Sequence, residues 1–275
     1  MTIRTLRGNG GGGTLILPGK GVGKHRKQNS VIMLQTVRTT TGIPSLDQLL
    51  EGGFPKGRSF LVTGEPGTGK SIFALQFVVE GLKRGERCIF VTADEEPGDV
   101  IEQAASIGWD LERHVENKEL AILNAGAYLS ALPGANRERH VDVQKTVNDL
   151  AGFVNQLGAS RLALDPAGPF VLLRDSGIRI QDQARLLIKL LRSTTRTTNL
   201  LTSYAVPRTG ERTLHGIEEY LVAGAIVLEM VWRDGALARS LIVEKMRCTD
   251  IRPVQLEFDI VKGQGIVIRS PGLAR

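Results

Sequence analysis

Several classes of protein need residues that this chain has little of. Its 275 residues include two cysteines, Cys88 and Cys248, which lie far apart and have no Cys or His partner at the spacing of a metal site. This pattern argues against a disulfide scaffold or a zinc module, and it predicts a reducing, cytoplasmic compartment. No apolar run approaches the roughly 18–20 residues that span a bilayer, so we expect no membrane partner.

The first 38 positions contain no acidic residue, but they contain seven lysines and arginines in total and a cluster of glycines. These positions account for the whole formal net charge of +6, because residues 39–275 sum to −1. No helical or strand period is sustained there, so we predict that residues 1–38 form a basic, disordered tail. An alternative is that the segment ahead of Met33 comes from a misplaced start codon.

From residue 39 onward, short apolar runs alternate with segments of helical periodicity. Strands are predicted at residues 58–63, 88–92, 161–164 and 199–203, with a shorter candidate at 121–123. Helices are predicted at residues 70–83, 141–157 and 181–191, and one more begins at Pro97. This alternation predicts an α/β fold with a mostly parallel sheet flanked by helices.

The carboxyl-terminal part of the chain has a different character. Asp234 and Gly235 stand between two alternating apolar runs, residues 225–231 and 238–243. An Asp-Gly pair in this context is a strong signal of a β-hairpin. Two more short strands are predicted at residues 254–258 and 265–268. We therefore expect an antiparallel extension of the sheet, within a single domain over residues 39–270.

The sharpest motif lies between the first predicted strand and the first predicted helix. It fits the pattern G-x-x-x-x-G-K-[ST] of a phosphate-binding loop, or P-loop. Its residues are Gly64, Glu65, Pro66, Gly67, Thr68, Gly69, Lys70 and Ser71. Glycines let backbone N–H groups turn towards a phosphate, and the helix N-terminus adds its dipole. Lys70 is the predicted partner of the β- and γ-phosphates of ATP, and Ser71 is a predicted ligand of Mg²⁺.

Carboxylates follow two of the predicted strands. Asp165 ends an apolar run and is the second candidate ligand of Mg²⁺; the alternative is a helix N-cap. Asp94, Glu95 and Glu96 follow another strand. Three adjacent acids repel one another, which is costly without a nearby cation or a function. Ligands bind at the carboxyl ends of parallel strands, so this turn is the candidate source of a hydrolytic base. The alternative is a solvated acidic turn.

With these motifs in place, residues 39–270 resemble the KaiC-like ATPases, within the RecA superfamily of P-loop NTPases. The resemblance rests on the segments T-G-I-P-S-L-D at 41–47, L-E-G-G at 50–53, F-A-L-Q-F at 73–77, A-A-S-I-G-W-D-L at 104–111, H-G-I-E-E-Y at 215–220 and K-M-R-C-T at 245–249. It implies a RecA-like core that assembles into rings, commonly homohexamers, with Mg²⁺ and ATP at the subunit interfaces.

The resemblance also implies roles for individual residues. The family's paired catalytic glutamates fall at Asp94 and Glu95, which favours Glu95 as the main base with Asp94 assisting. The family's interface lysine and arginine fall at Lys245 and Arg247, which would approach the γ-phosphate bound by a neighbouring subunit. The alternative for this pair is two exposed bases on an edge strand. Asp94 departs from the family's pattern, which has glutamate there, and so do Leu214, Ala223 and Cys248 in the carboxyl-terminal segment.

The favoured function is a ring-forming regulatory ATPase that hydrolyses ATP, with itself and an unidentified signalling protein as partners. A DNA-associated ATPase, like the recombinase relatives, is less favoured, because residues 39–275 have no basic excess and only the tail is left to contact phosphates. A non-hydrolysing, nucleotide-gated signalling scaffold is a third hypothesis, motivated by the carboxyl-terminal departures. Autokinase activity, known from one domain of the two-domain clock protein of this family, is the least favoured.

Overall fold

The computed structural model describes residues 36–126, 142–170, 177–204, 221–233 and 235–269, and all of them belong to one unit, Thr36–Arg275. Almost all of the predicted tail, and Leu214, lie outside these ranges. In chain order the described elements are β1 (Arg38–Thr39), α1 (Pro44–Leu49), β2 (Phe54–Pro55), β3 (Ser59–Gly64), α2 (Lys70–Lys83), β4 (Cys88–Thr92), α3 (Pro97–Ile107), α4 (Leu111–Glu116), β5 (Leu120–Asn124), α5 (Val143–Leu157), β6 (Arg161–Asp165), α6 (Gly177–Leu190), β7 (Thr198–Tyr204), β8 (Gly224–Arg233), β9 (Ala236–Met246), β10 (Val254–Val261) and β11 (Gly265–Ile268).

Nine of these strands form one sheet, in the order β11-β10-β9-β8-β3-β7-β6-β4-β5. The strands from β8 to β5 run parallel, and β8, β9, β10 and β11 pair antiparallel. The predicted α/β fold, with a mostly parallel sheet and an antiparallel extension at its carboxyl-terminal side, is confirmed. The hairpin is also confirmed, because Arg233 pairs with Ala236 across a turn in which Gly235 has φ +79°.

The sheet has a hydrophobic core on each face. Along β3, Phe60 and Val62 point into the core that α1, α2 and α3 cover, whereas Leu61 points into the core beneath α5 and α6. This alternation follows from the two-residue period of a strand. Because both faces are covered, all six residues of β3 are buried, which is why its sequence shows no polar alternation.

The structure also contains short elements that the sequence patterns did not predict. Helices α1 and α4 have six residues each, too few to show a helical period, and their starts are set locally. Pro44 occupies the first turn of α1, and the Asp110 side chain caps α4 by accepting from the Arg113 amide at 3.1 Å. At its carboxyl end, α6 widens into a π-helical turn, Leu191–Thr195. Within the described ranges no helix is long and apolar enough to cross a bilayer.

Candidate nucleotide-binding site

The P-loop connects the end of β3 to the start of α2, as its motif requires. Gly67 and Gly69 have φ values of +80° and +108°, a region that residues with a Cβ seldom occupy. Gly64 is needed for a different reason, because a Cβ there would lie 2.4 Å from the Leu228 carbonyl oxygen on β8. The loop can therefore turn its backbone N–H groups inward only with glycine at these positions.

Lys70, the first residue of α2, is held by the loop itself. Its Nζ donates to the Glu65 carbonyl oxygen at 2.9 Å and lies 5.1 Å from the centre of the Tyr204 ring. Burial lowers the pKa of the Lys70 ammonium, and the charge of Asp165 acts in the opposite direction. A cation that is partly removed from water, and that bonds a neutral carbonyl, suits an incoming phosphate.

Asp165 ends β6 beside the P-loop. Its carboxylate accepts hydrogen bonds from the hydroxyls of Thr202, on β7, and Ser71. Burial raises the pKa of Asp165, and these hydrogen bonds together with the Lys70 charge oppose the rise. The alternative that Asp165 caps a helix has no support, because the next described α-helix begins at Gly177.

The pair of Ser71 and Asp165 fits Mg²⁺ chemically. A hydroxyl and a carboxylate are the hard oxygen ligands that this ion prefers, and it commonly takes its remaining ligands from substrate phosphates and water. Among the described residues no group of three or more His, Cys, Asp and Glu side chains could hold a metal by itself. The donor set therefore suits an ion that binds together with a phosphate ligand.

The acidic turn follows β4 and faces the same site. The Glu95 amide donates to the Thr92 hydroxyl at 3.0 Å, and that hydroxyl donates to the Glu95 carbonyl at 2.9 Å, which tightens the turn. Burial raises the pKa of Glu95, and the carboxylates of Asp165, Asp99 and Asp94 raise it further. Mutual repulsion of this kind is relieved by a bound cation, as expected at a site for Mg²⁺ and phosphate.

Two residues of β7 complete this end of the sheet, and the sequence patterns did not identify them. Thr202 bonds Asp165, as described above. The Tyr204 hydroxyl donates to Asp94 Oδ2 at 3.4 Å while its ring lies beneath Lys70. The available signal was their position, because polar residues at the carboxyl end of a strand beside a P-loop strand must face the phosphate site.

Lys245 and Arg247 do not join this group. Lys245 pairs with Ala225, which in turn pairs with Leu61 near the middle of β3. The Arg247 amide donates to the Ala223 carbonyl at 2.8 Å. The Ala223 amide in turn donates to the carbonyl of Ser59, at the start of β3. At about 3.3 Å per residue, Arg247 is roughly 17 Å further back along the strands than Gly64.

The same stretch of β9 has two further features. The strand is paired by β8 along its length and by β10 as far as Val243, so it is not an edge strand of the sheet. Arg247 lies just beyond its end and is exposed, so the alternative of exposed bases remains open. Cys248, just after the strand, has φ +61°, in the left-handed region that favours glycine. Its carbonyl accepts from Arg38 Nη2 at 2.7 Å, and Arg38 also forms an ion pair with Glu51 at 2.5 Å.

The sequence and the fold of this chain match those of known proteins. A family model described as a KaiC ATPase matches residues 39–272. The circadian clock protein KaiC3 of Synechocystis is 32% identical over 83% of this chain and 45% of its own length. A UPF0273 protein of Aeropyrum pernix is 34% identical over 86% of this chain and 96% of its own length. The crystal structure of the KaiC-like protein PH0186 from Pyrococcus horikoshii superposes with a TM-score of 0.72, at 30% identity, over 86% of this chain and 100% of that one. The chain thus spans about half the length of the clock protein and nearly all of the single-domain relatives.

Proposed function

Because the chain belongs to the KaiC family of ATPases, we propose that it binds Mg²⁺ and ATP, hydrolyses the ATP, and assembles into rings as a regulatory ATPase. The observation that carries this proposal is the meeting of three features at the carboxyl ends of the parallel strands: the P-loop after β3, Asp165 at the end of β6, and the acidic turn after β4. Folding alone does not require these three features to lie together at one end of the sheet.

Each residue of the site has a role that follows from its position. The loop amides and Lys70 would bind the β- and γ-phosphates. Ser71 and Asp165 would hold Mg²⁺, which neutralises charge on the phosphates and on the leaving group. Glu95 would orient the attacking water and accept its proton, and a raised pKa brings a carboxylate closer to the range useful for a base near neutral pH. Asp94 would assist from the same turn.

Lys245 and Arg247 would act on the nucleotide of a neighbouring subunit. They lie too far back along the sheet to complete the site of their own chain, as the pairing of β9 indicates. Arginine presents a fixed cationic fork that stabilises charge on a transferring phosphoryl group. A head-to-tail association that brings these two side chains to the next P-loop closes into a ring when the rotation between subunits closes.

Mixing two inactive variants tests this arrangement. Lys70→Ala removes the phosphate site but keeps Arg247, and Arg247→Ala keeps the phosphate site. Each variant alone is expected to lose turnover, and an equal mixture should recover part of it, because some interfaces then combine an intact P-loop with an intact arginine. Light scattering on the same samples reports assembly.

The matched control is a mixture of Lys70→Ala with Asp165→Asn, whose defects both lie on the P-loop side of the interface. This mixture can recover activity only weakly, since neither partner has a complete phosphate site. If Arg247→Ala alone hydrolyses ATP at the wild-type rate, the proposed role in the neighbouring site fails, while ATP hydrolysis itself stands.

A nucleotide-gated scaffold that does not hydrolyse ATP is the second candidate. Two residues that depart from the family's pattern lie next to Arg247: the Ala223 carbonyl accepts from the Arg247 amide at 2.8 Å, and Cys248 is the next residue along the chain. A single-turnover assay separates the two functions. Tight ATP binding with no release of phosphate in any assembly state would support the scaffold and contradict the enzyme.

A further inference from the structure

Helix α6 and the π-helical turn that follows it carry a row of exposed cations. The row consists of Arg185, Lys189, Arg192 and Arg196, spaced four, three and four residues apart, and all four are exposed. No acidic residue occurs between Arg185 and Arg196. At spacings of four and three residues, Arg185, Lys189 and Arg192 lie on the same side of the helix and form a line, and Arg196 follows in the chain as the C-cap of the π-helical turn. We call these four residues the basic row.

The opposite side of the same helix explains why the basic row faces outward. Ala184, Leu187 and Leu191 are buried in the core beneath α5 and α6, and each is at most 1% exposed. The cations therefore lie on the surface of the layer, away from the sheet. Residues 39–275 are nearly neutral as a whole, yet this helix and the turn after it expose four cations, so the tail is not the only cationic segment that phosphates could contact.

The basic row also borders a groove of about 460 Å³. Arg185, Lys189 and Arg192 line it together with Ile188, Ser193 and Leu221. The groove is thus lined by apolar and cationic side chains, and Ser193 adds a hydroxyl. None of the six described side chains that line it is aromatic, and charge is the main source of affinity that these six offer to nucleic acid.

We propose that the basic row binds the phosphate backbone of nucleic acid. The eleven steps from Arg185 to Arg196, at about 1.5 Å per residue, extend over roughly 16 Å. Duplex DNA carries one charge per roughly 1.7 Å of its axis, so a duplex of this length carries on the order of ten phosphates, and those on the side towards the protein face the row. A line of cations matches a polymer of repeating charge, whereas a single phosphate group is held by donors that converge on it.

Two further observations support a polyanion as the occupant. The first 38 residues add seven cations and no acid, so both cation-rich segments of the chain would attract a polyanion. The basic row is also separate from the nucleotide site. It ends at Arg196, just before β7 begins at Thr198, and so lies towards the amino ends of the parallel strands, whereas the P-loop lies at their carboxyl ends. Nucleic acid on the row would not displace ATP.

The test is binding of a fluorescent 30-base-pair DNA duplex to the full chain over a series of salt concentrations. The variant is Lys189→Glu with Arg192→Glu, and the matched control is Lys83→Glu with Lys262→Glu, which changes the net charge equally at exposed positions on other elements. We expect the first variant to lose at least about tenfold in affinity at low salt, with the salt slope reduced by about 2, because two phosphate contacts are gone. The control should stay near wild type.

Three outcomes would overturn the proposal. The first is an equal loss of affinity in both variants, which would indicate a general effect of net charge. The second is full binding by the Lys189 and Arg192 variant that disappears when residues 1–35 are removed. The third is polyglutamate of matched charge binding the row more tightly than DNA does, which would indicate an acidic protein. Unchanged thermal unfolding and ATP hydrolysis in both variants would show that the folded core is intact.

Discussion

Charged side chains gather at both the carboxyl and the amino ends of the same parallel strands, but the two ends balance the charges differently. At the carboxyl end, the carboxylates of Asp165, Glu95 and Asp94 face one another, and the pKa values of Asp165 and Glu95 are raised. At the amino end, Arg161 is fully buried, yet every part of its guanidinium is satisfied by the fold. Its partners are Glu86 Oε2 at 2.7 Å from Nε, and the carbonyls of Thr40 and Phe77 at 2.7 and 2.8 Å from Nη1.

Glu86 shows the consequence of this balance. Burial raises the pKa of its carboxyl, but the hydrogen bond and charge of Arg161 outweigh burial, and the pKa of Glu86 lies below its ordinary value. The buried charge of Arg161 at the amino end is therefore neutralised within the chain, which is typical of a structural element. Charge at the carboxyl end is left for a ligand to neutralise, which is typical of a functional site. The sign of the pKa shift separates the two.

The largest expected effect is at the carboxyl end, where Asp165→Asn should lower ATP turnover by roughly 10²–10³-fold, a loss typical of removing one preorganised electrostatic partner. Thermal stability without nucleotide should not fall, because the amide retains the size of the side chain and removes a charge from a poorly hydrated position. Steady-state hydrolysis and thermal unfolding measure the two effects. Asp182→Asn, at an exposed position on α6, is the control. Turnover that survives in Asp165→Asn would contradict the assigned role.

At the amino end, a substitution should lower stability and leave nucleotide binding unchanged, the reverse of the expectation for Asp165→Asn. Arg161→Ala leaves the Glu86 carboxylate and two carbonyls without their partner, so the free energy of unfolding should fall by about 3–5 kcal/mol. Denaturant unfolding measures the loss, and nucleotide affinity of the folded fraction should be unchanged. The double variant Arg161→Met with Glu86→Gln should recover much of the stability, because no buried charge is then left unpaired. The control is the single variant Arg161→Met, which has the same packing as the double variant, and equal losses in these two would show that packing, rather than charge, decides stability here.

The two ends also predict pH dependences of opposite sign. Because the folded-state pKa of Asp165 is raised, the folded chain binds this proton more tightly than the unfolded chain does. Wild type should therefore lose stability relative to Asp165→Asn as the pH rises from about 4 through the raised pKa, by at most roughly 1.4 kcal/mol per pH unit. The pKa of Glu86 is lowered, so wild type should lose its advantage over Glu86→Gln as the pH falls through that pKa.

Unfolding free energies of wild type and both variants across the acid range, without nucleotide, measure these differences. Addition of Mg²⁺ and ATP should reduce the difference between wild type and Asp165→Asn, since a bound cation stabilises the ionised carboxylate. The same sign for both differences would contradict the contrast between the two ends.

The sequence predicted the carboxyl end of the sheet better than the amino end. The P-loop and Asp165 are readable because a local motif and an apolar strand define their positions. The role of Arg161 is not readable, because its partners Glu86 and Thr40 lie 75 and 121 residues away along the chain. Thr202 and Tyr204 were missed for the same reason, since only the parallel pairing of β3, β7 and β6 brings them to Asp165 and Asp94.

The smallest expected effect concerns Cys248, which lies beyond Arg247 at the end of β9. Its φ of +61° costs a residue with a Cβ roughly 1–2 kcal/mol, whereas glycine adopts this conformation freely. Cys248→Gly should therefore stabilise the fold by up to about 1 kcal/mol, after allowance for the greater freedom of glycine in the unfolded chain. Cys248→Ala is the matched control, because it removes the thiol but keeps the Cβ, and the Arg38 hydrogen bond to the carbonyl is available in both. If alanine stabilises as much as glycine does, the thiol rather than the backbone is the source of the cost, and the departure from the family's glycine has no conformational penalty.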